Sequence, residues 1–449
     1  MAFTEVKKLY PSFLTFDDAM ALDKETATAL QLKHNNKNRT ELALQLGASG
    51  VIAKAEGCYL WDTDGNKHLD FVGSVGVYCL GINNPFLNNN IKKYLDSKPL
   101  TMDPLMVHQT TAAFSHNMSL VTPGLTRTVV CGGGGMEANE TAIKMVKIAA
   151  HRTKKGKTRL LGTLNAFHGK SSATVNLAGK PKWRQWQGED LPGYSWVPYG
   201  DLAAVEAELA KGDVIAFFAE TIQGEGGIVV PPEDYFPAVR KLCDKYDTYL
   251  VLDEVQAGSC RTGHIWAWQH YKDFQPDAFT FAKGISGGVL PLGGCQATDD
   301  LYMAAYGSND SCFHHTATYQ DNQISGALAL SSLQFMIENN VAEHIRSEGA
   351  YLHGRLNELK EKYPNVIKEV RGRGYMIGVK YGANAKGEYY TIPICATLSG
   401  KHRVHTMFSI NDETICRAYP NYTTTREDFE WFLSGLEDSI KEVVAQMGE

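Results

Sequence analysis

From about residue 125 onward, short runs that are apolar at every position alternate with stretches whose apolar residues recur at helical spacing. Val214-Ile215-Ala216-Phe217-Phe218-Ala219 has no polar side, which suits a strand covered on both faces. Phe236, Val239, Leu242, Cys243 and Tyr246 then share one helical face. Tyr249-Leu250-Val251-Leu252 and Ala278-Phe279-Thr280-Phe281-Ala282 are two further strand runs. This rhythm predicts βαβ units, hence an α/β fold with a mostly parallel sheet and helices on both faces. Upstream, residues 1–45 read as polar and helical. Cys58-Tyr59-Leu60-Trp61 and Lys67-His68-Leu69-Asp70-Phe71 flank an Asp-Gly turn, which predicts a hairpin.

What ends each run carries the chemistry. The first ends in Glu220, the second in Asp253-Glu254, the third in Lys283. Open α/β sheets bind ligands beyond the carboxyl ends of their strands. A single strand-end lysine is ordinarily a solvated surface group, but three ionisable groups closing three successive strands point to one site. Lys283 also opens the turn Gly284-Ile285-Ser286-Gly287-Gly288, where an amine can be desolvated and made nucleophilic.

Composition narrows the partners. The chain has 449 residues, 43% hydrophobic and 21% charged, with a net charge of −6 and no basic run. It is long enough for one large and one smaller domain, and nucleic acid is not an expected partner. Met1 to Lys8 lack the apolar core of a signal peptide, and no stretch approaches the roughly 18 apolar residues of a membrane helix. Nine scattered cysteines, none in a Cys-x-x-Cys pair, fit free thiols in a reducing cytoplasm. His314-His315 lacks metal-ligand spacing, so no metal is expected.

A glycine-rich segment, Gly132-Gly133-Gly134-Gly135 and on to Glu140, separates the strand-like Arg127–Cys131 from a helix-like stretch, Thr141 to Ala150. Unpaired N–H groups at a helix start, approached closely through glycine, cradle anions. The run matches neither G-x-G-x-x-G nor a Walker loop, because no Gly-Lys-Ser/Thr follows. A phosphate cradle, a lysine amine and a strand-end aspartate together suit pyridoxal 5′-phosphate. The lysine binds its aldehyde and the aspartate keeps the pyridine nitrogen protonated. Phe167 is a candidate to stack on the ring.

The chain resembles the class III pyridoxal-phosphate aminotransferases, most of all the putrescine and ornithine types, from about residue 45 to the end. The resemblance rests on Tyr59 to Gly65, Met136-Glu137-Ala138-Asn139-Glu140, Ala166-Phe167-His168-Gly169-Lys170-Ser171 and Glu220 to Gly227. It continues through Leu252-Asp253-Glu254-Val255-Gln256, Arg261-Thr262-Gly263, Ala282-Lys283-Gly284 and Val370-Arg371-Gly372-Arg373-Gly374, in family order. It implies a fold type I transferase. Residues 1–75 would be the N-terminal segment of the small domain, 76–327 the large cofactor-binding domain and 328–449 the C-terminal small domain.

The resemblance also implies roles. Lys283 is the Schiff-base lysine and proton shuttle, Asp253 pairs with the pyridine nitrogen, and Glu220 joins them in the catalytic set. Gly135 and Met136 hold the phosphate. Phe167 and Val255 face the two sides of the ring, Gln256 lies near the phenolic oxygen, and His168 belongs to the cofactor set. Thr318 reaches the phosphate of a second subunit, implying a homodimer with composite sites or a higher oligomer. Arg417 takes the α-carboxylate of a dicarboxylic acceptor such as 2-oxoglutarate, and Glu225 pairs with Arg417 when the amine donor has none there; the acceptor is a 2-oxo acid, 2-oxoglutarate or pyruvate.

Departures cluster at the phosphate and the substrate mouth: Gly133-Gly134-Gly135-Met136 for Asn-Ser-Gly-Thr, Thr221 for proline, Gln320-Asp321-Asn322-Gln323 for Gly-Gly-Asn-Pro. Asp321 is therefore expected as an extra polar group suited to a cationic donor. An aminomutase or racemase, and a non-catalytic scaffold, share the same fold.

Overall fold

The computed structural model describes residues 10, 12–45, 52–103 and 105–448. Three sheets organise it. The first joins β1 (Ile52–Glu56), β2 (Tyr59–Asp62) and β3 (Lys67–Asp70), all antiparallel. The expected hairpin is its β2–β3 pair.

The central sheet contains β4 (Arg127–Cys131), β5 (Arg159–Thr163), β6 (Tyr194–Val197), β7 (Val214–Glu220), β8 (Tyr249–Asp253), β9 (Ala278–Ala282) and β10 (Gly293–Ala297). Its order is β4-β10-β9-β8-β7-β5-β6. β5 to β9 run parallel, while β10 is antiparallel to both of its neighbours. The sheet is thus mostly parallel, as expected, with one reversed strand. That strand is glycine-rich because space there is short: a Cβ at Gly294 would lie 2.4 Å from the Phe281 ring.

The third sheet contains β11 (Ile367–Arg373), β12 (Met376–Tyr381), β14 (Met407–Phe408) and β15 (Ile415–Ala418). Between them β13 (Val404–His405) returns to pair with β3, so the first sheet joins segments that are far apart in the chain.

β7, β8 and β9 are buried almost throughout, which is why their sequences show no polar alternation. One apolar cluster packs the Gly135–Thr153 helix, through Ala142, Val146 and Ala149, against strand residues Ile215, Phe218 and Val251. On the other face Phe217, Leu250, Leu252, Phe279 and Phe281 join the main cluster with Phe236 and Trp266. The described part of residues 1–45 is helical at Phe16–Met20, Lys24–His34 and Lys37–Gln45.

Candidate active site

β7, β8 and β9 are neighbours, with Glu220 paired opposite Asp253. Their carboxyl ends therefore deliver Glu220, Asp253 and Lys283 to one place. Lys283 begins a short helical turn, Lys283–Ser286, and adopts φ +50°. A side-chain-bearing residue in the left-handed region stores strain of about 1–3 kcal/mol, a cost met most often at functional sites. Ser286 Oγ donates to the Lys283 carbonyl at 2.8 Å and accepts from Gly288 N at 3.1 Å, holding the turn. Burial pushes the Lys283 ammonium below its ordinary range; Glu225, Asp253 and Glu220 oppose that, and Arg417 adds to it. The result is an amine easier to present unprotonated than a surface lysine.

Asp253 is nearly fully buried. Its Oδ1 accepts from Val255 N at 2.9 Å. Its Oδ2 accepts from Asn139 Nδ2 at 2.7 Å and from His168 Nδ1 at 2.8 Å. An ionised carboxylate only accepts hydrogen bonds, so Nδ1 is the protonated ring nitrogen of His168. Glu220 ties two loops together, accepting from Phe167 N at 2.9 Å and Gly224 N at 2.8 Å. Burial raises its carboxyl to about 7, with His168 opposing.

The glycine run delivers the helix Gly135–Thr153, with Gly134 as N-cap. Its first N–H groups have no partner one turn earlier and lie at the positive end of the helix dipole. A Cβ at Gly135 would fall 2.5 Å from Val255 Cγ1, so only glycine lets the helix start come this close. Gly133 N donates to Glu137 Oε2 at 2.5 Å, folding the loop back on the first helical turn.

One cavity of about 380 Å³ collects Lys283, Asp253, Glu220, Gly135, Met136, Phe167, His168, Val255, Gln256 and Glu225. Asn139, Gly169 and Lys170 also line it, and carried no assigned role in the sequence. Gln256 Oε1 accepts from the buried Tyr419 hydroxyl at 2.8 Å. Arg417, on β15, sits behind the wall. It is 3% exposed and its Nη1 donates to Glu225 Oε1, while Nη2 donates to Phe408 O at 3.2 Å. Glu225 Oε2 accepts from Ile410 N at 3.1 Å. Burial alone would raise the Glu225 carboxyl; Arg417 and Lys283 overcome this and hold it below the ordinary range.

Two expected residues lie elsewhere. Thr318 is exposed and does not line the cavity of its own chain. Asp321 does not line this cavity of its own chain either. It lines a separate cavity of about 330 Å³, and its Oδ1 accepts from Val130 N at 3.0 Å. It is spent on the edge of β4. His315 Nε2 meets Thr141 Oγ1 at 2.8 Å.

The donor set fits pyridoxal 5′-phosphate. A lysine amine, a carboxylate and a helix start open on one cavity whose glycine leaves room for a close approach. Such a site can bind an aldehyde, hold a cationic ring nitrogen and anchor a phosphate.

Comparison with known proteins agrees. The sequence model of Aminotransferase class-III matches residues 46–440. The chain is 40% identical to an uncharacterized aminotransferase of Schizosaccharomyces pombe, over 98% of this chain and 91% of that one. It is 31% identical to a putrescine aminotransferase of Pectobacterium atrosepticum, covering 98% and 93%. Among solved structures, the ornithine aminotransferase of Toxoplasma gondii shares the fold with a TM-score of 0.85 at 24% identity, covering 96% and 98%.

Proposed function

The chain belongs to the class III aminotransferases, which use pyridoxal 5′-phosphate, and from that premise we propose a transaminase for diamines or basic and ω-amino acids. The donor is of the putrescine, ornithine or acetylornithine type, and the acceptor is a 2-oxo acid such as 2-oxoglutarate or pyruvate. The observation that carries this reading is the buried Glu225–Arg417 pair beside the cavity that holds Lys283 and Asp253. The 31% identity to a putrescine aminotransferase points the same way.

When bound, the cofactor supplies an electron-withdrawing ring that stabilises negative charge on the substrate carbon. The chain's residues do the rest. Asp253 would hold the positive ring nitrogen. The amine of Lys283 takes a proton from the amine-bearing carbon and returns one, base then acid. Phe167 and Val255, which both line the cavity, would hold the ring, and Glu220 fixes Phe167 through its backbone N–H. N–H groups of Gly135 and Met136, at the helix start, would hold the phosphate. An amine with no carboxylate near Arg417 leaves the Glu225 pair closed; an acceptor carboxylate displaces Glu225 and takes the guanidinium fork.

A homodimer with composite sites completes the reading. Val107 (91% exposed), Leu105, Met106, Phe313 and Tyr319 leave large apolar side chains uncovered. Met106 and Phe313 line one cavity together with Thr316 and Ala317, which immediately precede Thr318. A patch of this kind marks an interaction surface.

The test is an amine screen (putrescine, cadaverine, ornithine, acetylornithine, lysine, β-alanine) against 2-oxoglutarate and pyruvate. Stoichiometric formation of glutamate or alanine with one of these donors is expected. Turnover needing no acceptor would instead indicate mutase or racemase chemistry, and bound cofactor with no turnover an inert scaffold.

A further inference from the structure

Asn139 is buried at the junction of three elements that build the site. It projects from the second turn of the Gly135–Thr153 helix toward β8, β9 and the His168 loop. Every polar atom of its amide is used. Oδ1 accepts from Thr280 Oγ1 on β9 at 2.6 Å. Nδ2 donates to the His168 carbonyl at 2.8 Å and to Asp253 Oδ2 at 2.7 Å.

The chemistry of these partners leaves one orientation. Turning the amide over would set its oxygen against a carbonyl and a carboxylate, two acceptors, at a buried position. The carbonyl and the carboxylate enforce the choice, and the Thr280 hydroxyl completes it by donating to the oxygen. The amide is thus a fixed donor aimed at Asp253.

Its second donor matters because the first is a single contact. His168 meets Asp253 only through Nδ1, and its buried Nε2 has no hydrogen-bond partner among the described residues. With Val255 N on Oδ1 and two donors on Oδ2, the plane of the carboxylate is set. The same amide grips the His168 backbone, one residue from Phe167, so the acid and the ring-stacking loop are held in common register.

We propose that Asn139 is a positioning residue for the transamination: its amide, with its oxygen held by Thr280, keeps Asp253 aimed at the cofactor's ring nitrogen so that the nitrogen stays protonated. This rests on the reading of Asp253 as that nitrogen's partner. A merely structural asparagine would stabilise the helix–sheet junction without changing the protonation of the ring.

The test uses holoenzyme loaded with pyridoxal 5′-phosphate carrying ¹⁵N in the ring, in Asn139→Leu and Thr280→Val. The ring-nitrogen resonance at neutral pH is expected to move toward the unprotonated position in both, more in Asn139→Leu. The rate of the amine half-reaction should fall roughly 10- to 100-fold in Asn139→Leu, the worth of one buried hydrogen bond to a charged group. The amine KM should stay near that of the unaltered enzyme. If Asn139→Leu does not fold, Thr280→Val, which leaves Asn139 in place, decides by the same resonance. A ring nitrogen that stays fully protonated in every variant that folds overturns the proposal alone. An unprotonated nitrogen already in the unaltered enzyme overturns the assignment of Asp253 and the proposal with it.

Discussion

Replacing Arg417 by alanine should separate the two substrates that share the cavity. The guanidinium is 3% exposed and pairs with Glu225, which is also buried, so it is a desolvated charge with a fixed partner. A carboxylate acceptor that takes the fork gains two charge-assisted hydrogen bonds, about 1.5–3 kcal/mol each. It must first displace Glu225, which keeps Ile410 N at 3.1 Å as a second anchor. That displacement offsets part of the gain and leaves a net of about 3 kcal/mol, or roughly 100-fold in KM. An amine with no carboxylate there loses only packing, and its KM should change less than about fivefold. The two half-reactions are measured separately by stopped-flow absorbance, with putrescine and then with 2-oxoglutarate. The variant should also lose about 3–5 kcal/mol of stability, because Glu225 is left buried without its cation. Arg417→Ala combined with Glu225→Gln should recover most of that stability while keeping the loss for 2-oxoglutarate. Equal losses for both substrates in the single variant would refute the switch.

Other outcomes can be checked in parallel. Lys283→Ala should give no borohydride-reducible adduct with pyridoxal phosphate at position 283, read by peptide mass; an adduct there in the unaltered enzyme is required. If Thr318 acts across the dimer, mixing inactive Lys283→Ala with Thr318→Ala subunits should regenerate one intact site per mixed dimer, and activity should exceed that of either parent. No gain on mixing would place Thr318 outside the partner's site. Burial raises both Glu220 and Glu254 from 4.5 to about 7. The folded apoprotein then binds more protons than the unfolded chain between pH 4.5 and 7. Their contribution, of order 3 kcal/mol each, is present below pH 4.5 and lost as pH rises through about 7. The thermal midpoint of Glu254→Gln apoprotein should therefore fall less between pH 5 and 8 than that of the unaltered apoprotein, and an identical slope would count against a protonated Glu254.

The strand-end logic was legible because it is local. An unbroken apolar run marks a strand buried on both faces, and the ionisable residue that closes it must stand at the sheet's edge of burial. β7, β8 and β9 and the helix after the glycine run follow from that periodicity alone. β1 left no such mark, since its residues are mostly exposed and show no alternation. β10 hid behind glycines that the neighbouring Phe281 ring demands.

The sequence by itself determined which functional groups stand at the carboxyl ends of the central strands, because hydrophobic periodicity and the residue that interrupts it are neighbours in the chain. Only the tertiary structure decided how those groups are oriented. Asn139 meets Asp253 across 114 positions and Arg417 meets Glu225 across 192. Likewise it was packing, not residue type, that spent Asp321 on β4 instead of on the cavity. A hydrogen bond depends on angle and distance between whole elements, and these are set by how helix, strand and loop pack, which no local pattern along the chain encodes.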